Sequence, residues 1–193
     1  MPNVPIPLVP TQSLPELKNK QIVGPIDIHP VAGSAADQAG ASHWSRVWIP
    51  IGAGLFIFAL VGSAVAVPQL RLLHAFQALI YVAVFLLARR NNAFGFGAGT
   101  TIAVAWNSIE WLGPHLIQAG AHELWTFLGT GHIGRLDTLM VFIGAIAHIV
   151  LIVACVAVFR QLRPKKKEWL QFLAGGVLVL AYFAVIVAIL RPH

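Results

Sequence analysis

Apolar residues are concentrated in five long segments of the chain, which short polar stretches separate. These segments cover residues 47–67, 69–88, 93–112, 136–159 and 169–190. Each is long enough to supply the ~20 residues that an α-helix needs to cross about 30 Å of hydrocarbon. Their periodicity is not that of barrel strands, and backbone groups in lipid must be hydrogen-bonded within their own segment, so helices are the remaining option. The sequence therefore predicts an all-α, polytopic integral membrane helical bundle with five transmembrane helices.

The first 45 residues differ from the rest because proline is frequent there. They contain seven of the twelve prolines: Pro2, Pro5, Pro7, Pro10, Pro15, Pro25 and Pro30. Proline removes a backbone donor and interrupts helices, so we expect residues 1–45 to form an extended and largely irregular tail. The segment shows no basic region followed by an apolar one, so we expect no cleavable signal peptide.

The composition strengthens the membrane interpretation and limits the possible partners. The chain is 58% hydrophobic and 10% charged, and its mean hydropathy is +0.77. Soluble domains carry about 25% charged residues, so the lipid bilayer is the expected surrounding. One cysteine, Cys155, lies in an apolar segment, which excludes a disulfide framework and a site with several cysteine ligands. The formal charge of +6 comes mainly from residues beside apolar segments, so we expect no nucleic-acid partner.

Lysine and arginine are unevenly distributed between the two sides that five spans would define. One side would hold eight of them: Arg46, Arg89, Arg90, Arg160, Arg163, Lys165, Lys166 and Lys167. The other side would hold three: Arg71, Arg135 and Arg191. Cytoplasmic loops are enriched in Lys and Arg, so we expect a multi-pass protein of the inner or plasma membrane with its N-terminus inside and its C-terminus outside.

Three of the predicted helices carry a stripe of polar or small residues along one face. On the second helix the stripe consists of Arg71, His74, Gln77 and Tyr81. On the third it consists of Gly95, Gly99, Ala103, Asn107 and Glu110, and on the fourth of Asp137, Gly144, His148 and Cys155. Charged groups that face lipid cost at least about 2.5–3.5 kcal/mol each, so we expect the three stripes to face one another. The pair Gly95 and Gly99 also predicts the close approach of a neighbouring backbone.

The polar members of these stripes are expected in the outer half of the bundle. At about 1.5 Å of rise per residue, Glu110 lies near the outer interface and His148 lies roughly 18 Å deeper, near the midplane. The predicted outer loop, residues 113–135, would cover them and favours a short interfacial helix over residues 121–128. We therefore predict an outer-leaflet ligand pocket that consists of Arg71, His74, Gln77, Asn107, Glu110, Asp137 and His148.

His148 allows three interpretations. A neutral imidazole could join helices through hydrogen bonds to Gln77, Tyr81 or Asn107. Alternatively, the side chain binds a haem or a metal ion, or it carries a proton. A haem held between His74 and His148 is geometrically awkward because their depths differ by about half a leaflet.

Arg71 and the outer loop provide two further candidates. Arg71 either forms a buried ion pair with Glu110 or Asp137, or it binds a carboxylate or phosphate of a ligand. In the loop, imidazole and carboxylate groups suited to Zn²⁺, Cu²⁺ or iron come from His115, His122, Glu123 and His132. Their spacing matches no tight metal signature, so ordinary interfacial residues are the alternative interpretation.

Three functions fit these expectations. The first is a membrane protein whose outer-leaflet pocket binds a transition metal, a haem or a small redox ligand, with a role in metal handling or membrane redox chemistry. The second is a non-catalytic subunit that packs against other membrane subunits or against copies of itself. The third is an intramembrane enzyme that acts on a lipid or isoprenoid, with Glu110 and Asp137 as acid and base. The sequence contains no nucleophile elbow, P-loop or dinucleotide motif that would decide among them.

Overall fold

The computed structural model describes residues 33–112 and 115–190, which form helices joined by short turns. The α-helices, in chain order, are α1 (Gly33–Ala66), α2 (Arg71–Arg89), α3 (Ala93–Leu112), α4 (Leu116–Thr130), α5 (Leu136–Gln161) and α6 (Lys166–Leu190). A 3₁₀ turn, Pro68–Leu70, connects α1 to α2. No strand occurs within these described ranges, so the prediction of an all-α fold is confirmed.

Four of the described helical segments are long and apolar enough to cross a membrane. They are Val47–Ala66 within α1, Pro68–Arg89, Leu136–Gln161 and Lys166–Leu190. These segments indicate a membrane protein. Helix α3 is not among them, because its glycines and threonines, together with Asn107 and Glu110, lower its mean hydropathy.

Helix α1 begins earlier than the sequence predicts. We expected residues 1–45 to be irregular, but α1 starts at Gly33 and includes residues 33–45. The expectation depended on proline, and the last of the seven prolines is Pro30, so no proline interrupts the chain again before Pro50. The remainder of the predicted tail lies outside the described residues.

The helices pack around a shared core. Helix α5 lies antiparallel to α1, because Gly144 is beside Phe56 and Gly52 is beside Leu151. Helix α3 packs against α2, α5 and α6, so it is enclosed on three sides. Fully buried residues from several helices, such as Ile49, Phe96 and Leu151, form the core. We call the end of the bundle where α3 ends and α5 begins the α4 end, since α4 packs there against α5.

The closest backbone contact of α3 is with α6. A Cβ at Gly97 would overlap the carbonyl of Phe172, and a Cβ at Gly175 would overlap that of Phe94, so only glycine fits at either position. The predicted backbone approach is present at Gly95, where an added Cβ would lie 3.3 Å from backbone atoms of Leu87 and Ala88 in α2. Gly99 instead meets the side chains of Val84 and Cys155. Glycine thus allows close packing of α3 against α2 at Gly95 and against α6 at Gly97.

The predicted outer loop contains α4, which is longer than the expected helix over residues 121–128. Gly120 fits closely against Phe142 of α5, and Gly131, with φ of +70°, ends the helix in the left-handed conformation that glycine adopts readily. The carboxylate of Glu123 accepts hydrogen bonds from the backbone N–H groups of Gly134 and Arg135, at 3.1 and 3.2 Å. These contacts fix the turn between α4 and α5.

Candidate functional site

Four helices meet around His148, near the middle of α5. The hydroxyl oxygen of Tyr81 on α2 lies 2.7 Å from Nε2 of His148, and Oδ1 of Asn107 on α3 lies 3.3 Å from Nδ1. The ring of Phe56 on α1 packs against the imidazole, with 3.9 Å between ring centroids. Tyr81 and His148 are completely buried. We call these four residues, Phe56, Tyr81, Asn107 and His148, the His148 cluster.

Both nitrogens of the His148 ring take part in these contacts. The carbonyl oxygen of Asn107 can only accept, so Nδ1–H donates to it, and Nε2 of the neutral imidazole then accepts from the Tyr81 hydroxyl. A haem or metal ion could bind His148 only if Tyr81 or Asn107 were displaced. The cluster therefore favours the interpretation in which a neutral imidazole joins helices.

A small cavity lies one helical turn from the His148 cluster, towards the α4 end. Gln77 is four residues before Tyr81, and Glu110 is three residues after Asn107, so both lie on the same helix faces as the cluster. The cavity has a volume of about 80 Å³, and its polar lining consists of Ser63, His74, Gln77, Trp106 and Glu110. The rest of its wall is apolar. We call this space the polar cavity.

Several polar atoms around this cavity are buried and make no hydrogen bond to any described part of the protein. They are Nδ1 of His74, both amide atoms of Gln77, Nε1 of Trp106 and Oε2 of Glu110. His74 and Glu110 are each 9% exposed and Gln77 is 0% exposed, so bulk water does not reach these side chains freely. An unsatisfied buried polar group costs about 1–3 kcal/mol, so the cavity should contain a partner for these atoms. Its volume exceeds the ~10–15 Å³ that one water requires.

Two larger pockets adjoin the polar cavity. Towards the α4 end, Glu110 also lines a pocket of about 250 Å³ that it shares with Trp111, His115 and Gln118. Between α1 and α2, His74 and Leu60 also line a groove of about 290 Å³ whose other walls are mainly apolar. The polar cavity therefore has two neighbours. The pocket towards the α4 end carries polar groups, and the groove between α1 and α2 is mainly apolar.

The predicted ion pair of Arg71 with Glu110 or Asp137 does not form. Arg71 is exposed, and its Nε donates to the carbonyl oxygen of Ala64 at 3.2 Å, at the end of α1. Asp137 instead pairs with Arg135, at 3.0 Å between Nη2 and Oδ2. Cations are stabilised near the C-terminus of a helix and anions near the N-terminus, which explains why Arg71 lies at the end of α1 and Asp137 in the first turn of α5. Both predicted pocket residues thus lie outside the polar cavity.

The loop residues proposed as metal ligands do not assemble. Among the described residues, no three His, Cys, Asp or Glu side chains are arranged to hold a metal ion, and His115, His122, Glu123 and His132 are all described. Both of the hydrogen bonds that Glu123 accepts come from backbone N–H groups. His115 lies beside Gln118, with 3.4 Å between Nδ1 and Oε1. The prediction of a metal site in the loop therefore has no support in this arrangement.

The structure thus divides the seven predicted pocket residues into three groups. His74, Gln77 and Glu110 line one cavity, Asn107 and His148 form the adjacent hydrogen-bonded cluster, and Arg71 and Asp137 lie elsewhere. Trp106 also lines the cavity but was not predicted, although it lies four residues before Glu110 and hence on the same helix face. Its indole N–H could have indicated a further hydrogen-bond donor on that face.

No protein-family model matches this chain, and no curated protein or solved structure shows significant similarity to it.

Proposed function

We propose that this protein binds a small hydrogen-bonding ligand in the polar cavity. The ligand would contact His74, Gln77, Trp106 and Glu110, which together offer hydrogen-bond donors and acceptors. The observation that supports the proposal is the convergence of these unpartnered side chains, from α2 and α3, on a single cavity. Binding sites for small molecules typically combine an apolar wall with a few polar groups that converge in this way.

The cavity also restricts the kind of ligand. Its volume of about 80 Å³ is well below the roughly 150 Å³ of a cavity that accommodates benzene, so a haem is too large. Its lining contains one imidazole and one carboxyl group, whereas structural metal sites use four ligands and catalytic sites use three plus water. A small organic group therefore fits the cavity better than the metal ion or haem that the sequence also allowed.

We further propose that all five predicted segments cross the membrane and that the α4 end lies outside. Helix α3 has lower hydropathy than the other four, but its enclosure by α2, α5 and α6 keeps Asn107 and Glu110 away from lipid. The distribution of Lys and Arg supports a cytoplasmic N-terminus in the inner or plasma membrane. With this orientation the polar cavity belongs to the outer leaflet.

Native mass spectrometry of the protein purified in mild detergent tests ligand binding. We expect an adduct of defined mass with one ligand per chain on the wild-type protein. Gln77→Leu, which removes two polar atoms from the cavity, should abolish the adduct. Gln161→Leu is the matched control, because Oε1 of Gln161 is also buried and unpartnered but lies at the other end of α5. This variant should keep the adduct.

Two outcomes would contradict the proposal. One is a wild-type protein that carries no adduct when it is extracted directly from its native membranes. The other is an adduct that Gln77→Leu retains as fully as Gln161→Leu does. Either result would favour the second function considered for the sequence, a non-catalytic subunit in which the polar side chains and trapped water only hold helices together.

A further inference from the structure

The groove between α1 and α2 lies on the lipid-facing side of the bundle and shares lining residues with the polar cavity. Its walls are mainly apolar and include Val61, Ala64, Val65, Ala75 and Ala78. Val61, Val65 and Ala75 are exposed, and they belong to helices that are apolar enough to lie in a membrane. A molecule in the groove would therefore be in contact with lipid along its length.

The groove and the polar cavity lie side by side. Leu60 on α1 and His74 on α2 each line both of them. His74 is nine-tenths buried and its Nδ1 has no partner, so an unsatisfied polar atom lies where the apolar groove meets the cavity. A molecule with an apolar chain and a small polar group matches this change in character.

We infer that the ligand of the polar cavity is a neutral single-chain lipid alcohol, with its hydroxyl group in the cavity and its hydrocarbon chain in the groove. This inference rests on the proposed function, and it adds the chemical class of the ligand and its route of entry from the bilayer. The lipid hydroxyl group would donate one hydrogen bond and accept others, which suits the mixed donors and acceptors of Gln77 and Trp106.

The size of the cavity limits the polar group of the lipid. A volume of about 80 Å³ is smaller than the roughly 150 Å³ that accommodates a benzene ring, so a sugar or quinone ring does not fit. A hydroxyl group on a primary carbon does fit. The groove has a volume of about 290 Å³ and lies between only two helices, so we infer that it holds one chain and not the two chains of a phospholipid.

The charges around the cavity argue against an anionic group. Glu110 contributes a carboxyl group to the cavity lining, and no Lys or Arg is part of that lining. A carboxylate or phosphate would therefore be buried without a cationic partner, which is unfavourable. Arg71 lines the groove but not the cavity, so it would not be the partner of an anionic group bound in the cavity.

In a bilayer, the selectivity of binding should come from the polar group of the lipid and not from its hydrocarbon chain. The hydrocarbon chain leaves one apolar environment for another when it enters the groove, so its transfer contributes little binding energy. The hydroxyl group gains hydrogen bonds that the hydrocarbon region of the bilayer cannot provide. We therefore expect binding to depend strongly on the polar group and weakly on the length of the chain.

Photolabelling in phosphatidylcholine vesicles tests the inference. The probe is hexadecanol that carries a diazirine and an alkyne in its chain, and the comparison probe is hexadecanoic acid with the same modifications. We expect about tenfold more labelling by the alcohol than by the acid, as the gain of one well-formed buried hydrogen bond and the absence of a buried charge would produce. Labelled peptides should contain the groove residues of α1 and α2.

Two variants locate the binding site. Ala75→Trp places a large side chain in the groove from an exposed position, so it should reduce labelling by the alcohol to the level of the acid. The matched control, Ala181→Trp, adds the same side chain at an exposed position of α6 and should leave labelling unchanged. Gln77→Leu should also abolish the preference for the alcohol, since it removes polar partners from the cavity.

Equal labelling by the two probes, or labelling that Ala75→Trp does not reduce, would overturn the inference and show that the groove holds only bulk lipid. Stronger labelling by the acid, lost in Arg71→Gln, would also overturn it and assign the groove to an anionic lipid. These outcomes differ from failure of the proposed function. If the mass-spectrometric adduct persists in the wild type and is lost in Gln77→Leu, ligand binding stands even though the ligand is not a lipid alcohol.

Discussion

Tyr81 and His148 are separated by 67 positions in the chain, yet the Tyr81 hydroxyl oxygen lies 2.7 Å from Nε2 of His148. The contact joins α2 to α5 in the interior of the bundle, where both side chains are completely buried. Nδ1 of the same imidazole contacts Oδ1 of Asn107, so α3 is joined to α2 and α5 as well. Both ring nitrogens of His148 thus have hydrogen-bond partners. One turn away, polar atoms of Gln77 and Glu110 have none.

We predict that Tyr81→Phe destabilises the protein, because it leaves Nε2 of His148 buried without a donor. The loss should be about 0.6–2 kcal/mol, the range for hydrogen bonds between helices in membranes. Tyr182→Phe is the control, since its hydroxyl donates to the carbonyl of Phe76 at an exposed position and 3.3 Å. Thermal unfolding in detergent measures both. An equal loss in the two variants would show that the His148 contact has no special contribution.

Gln77→Leu should have the opposite effect on the stability of the ligand-free protein. It replaces two unpartnered amide atoms by apolar groups in a completely buried position. Removal of unsatisfied polar groups should raise the free energy of unfolding by about 1–3 kcal/mol. The measurement is the midpoint of thermal unfolding after exhaustive delipidation. A Gln77→Leu protein that is less stable than the wild type would show that the amide already has partners, such as ordered water.

Gly175→Ala should weaken the packing of α6 on α3. The added methyl group would overlap the carbonyl of Phe94, and such overpacking costs about 1–3 kcal/mol. Gly54→Ala provides the contrast, because a Cβ at Gly54 meets nothing within 4 Å. In a helix interior that change should be neutral or stabilising by up to about 1 kcal/mol. Gly175→Ala should therefore unfold at a lower temperature than Gly54→Ala. The reverse order would refute the contact between α3 and α6.

Glu123 should matter to the turn between α4 and α5 through its carboxylate and not through a metal ion. Glu123→Ala removes the acceptor of two backbone N–H groups, so we expect faster hydrogen exchange at Gly134 and Arg135 and a loss of about 1–3 kcal/mol. Asp137→Ala breaks an exposed ion pair and should cost at most about 1 kcal/mol.

A chelator completes this test. Treatment of the wild-type protein with EDTA should leave its unfolding temperature and the exchange at Gly134 unchanged. A fall in the unfolding temperature that added Zn²⁺ reverses would contradict the prediction and restore the metal site proposed from the sequence. His132→Ala would then be expected to show the same fall without a chelator.

The orientation can be tested with two single cysteines and a membrane-impermeant maleimide. His132 is exposed in the turn after α4, and Lys167 is exposed in the first turn of α6. The native Cys155 is completely buried, so the wild-type protein serves as the unreactive control. In intact cells we expect labelling of His132→Cys, and labelling of Lys167→Cys only after permeabilisation. The reverse pattern would place the polar cavity in the inner leaflet.

Much of the architecture was accessible from the sequence because periodicity determines which residues share a helix face. The stripe on α2 correctly placed His74, Gln77 and Tyr81 inside the bundle, and Glu110 is buried as its stripe implied. The start of α1 at Gly33 was not predicted, because proline content and the start of the apolar segment do not mark where the helix begins. Helix α4, Leu116–Thr130, extends beyond the predicted residues 121–128 at both ends.

The pairing of charged groups was less predictable, because it depends on where a long side chain turns. Arg71 is on the expected helix, but its flexible chain reaches the end of α1 instead of the interior. Asp137 lies in the first turn of α5, where it pairs with the neighbouring Arg135. Helical spacing predicts the face on which a residue lies. The partner of a charged side chain depends instead on which groups lie within its reach, and helical spacing does not show these.

Most buried polar residues of the described chain lie in the half of the bundle towards the α4 end: His74, Gln77, Glu110, Thr138 and His148. In the other half, single side-chain atoms of Thr100 and Gln161 are buried. Beyond His148, the completely buried residues of α5 are apolar or weakly polar: Leu151, Ala154, Cys155 and Val158. Hydrogen-bonding groups among the described residues of the interior are thus dense near the polar cavity and sparse past the midplane, where Oγ1 of Thr100 and Oε1 of Gln161 are isolated from one another. A polar group bound in the cavity would therefore find its hydrogen-bond partners at one depth of the bundle.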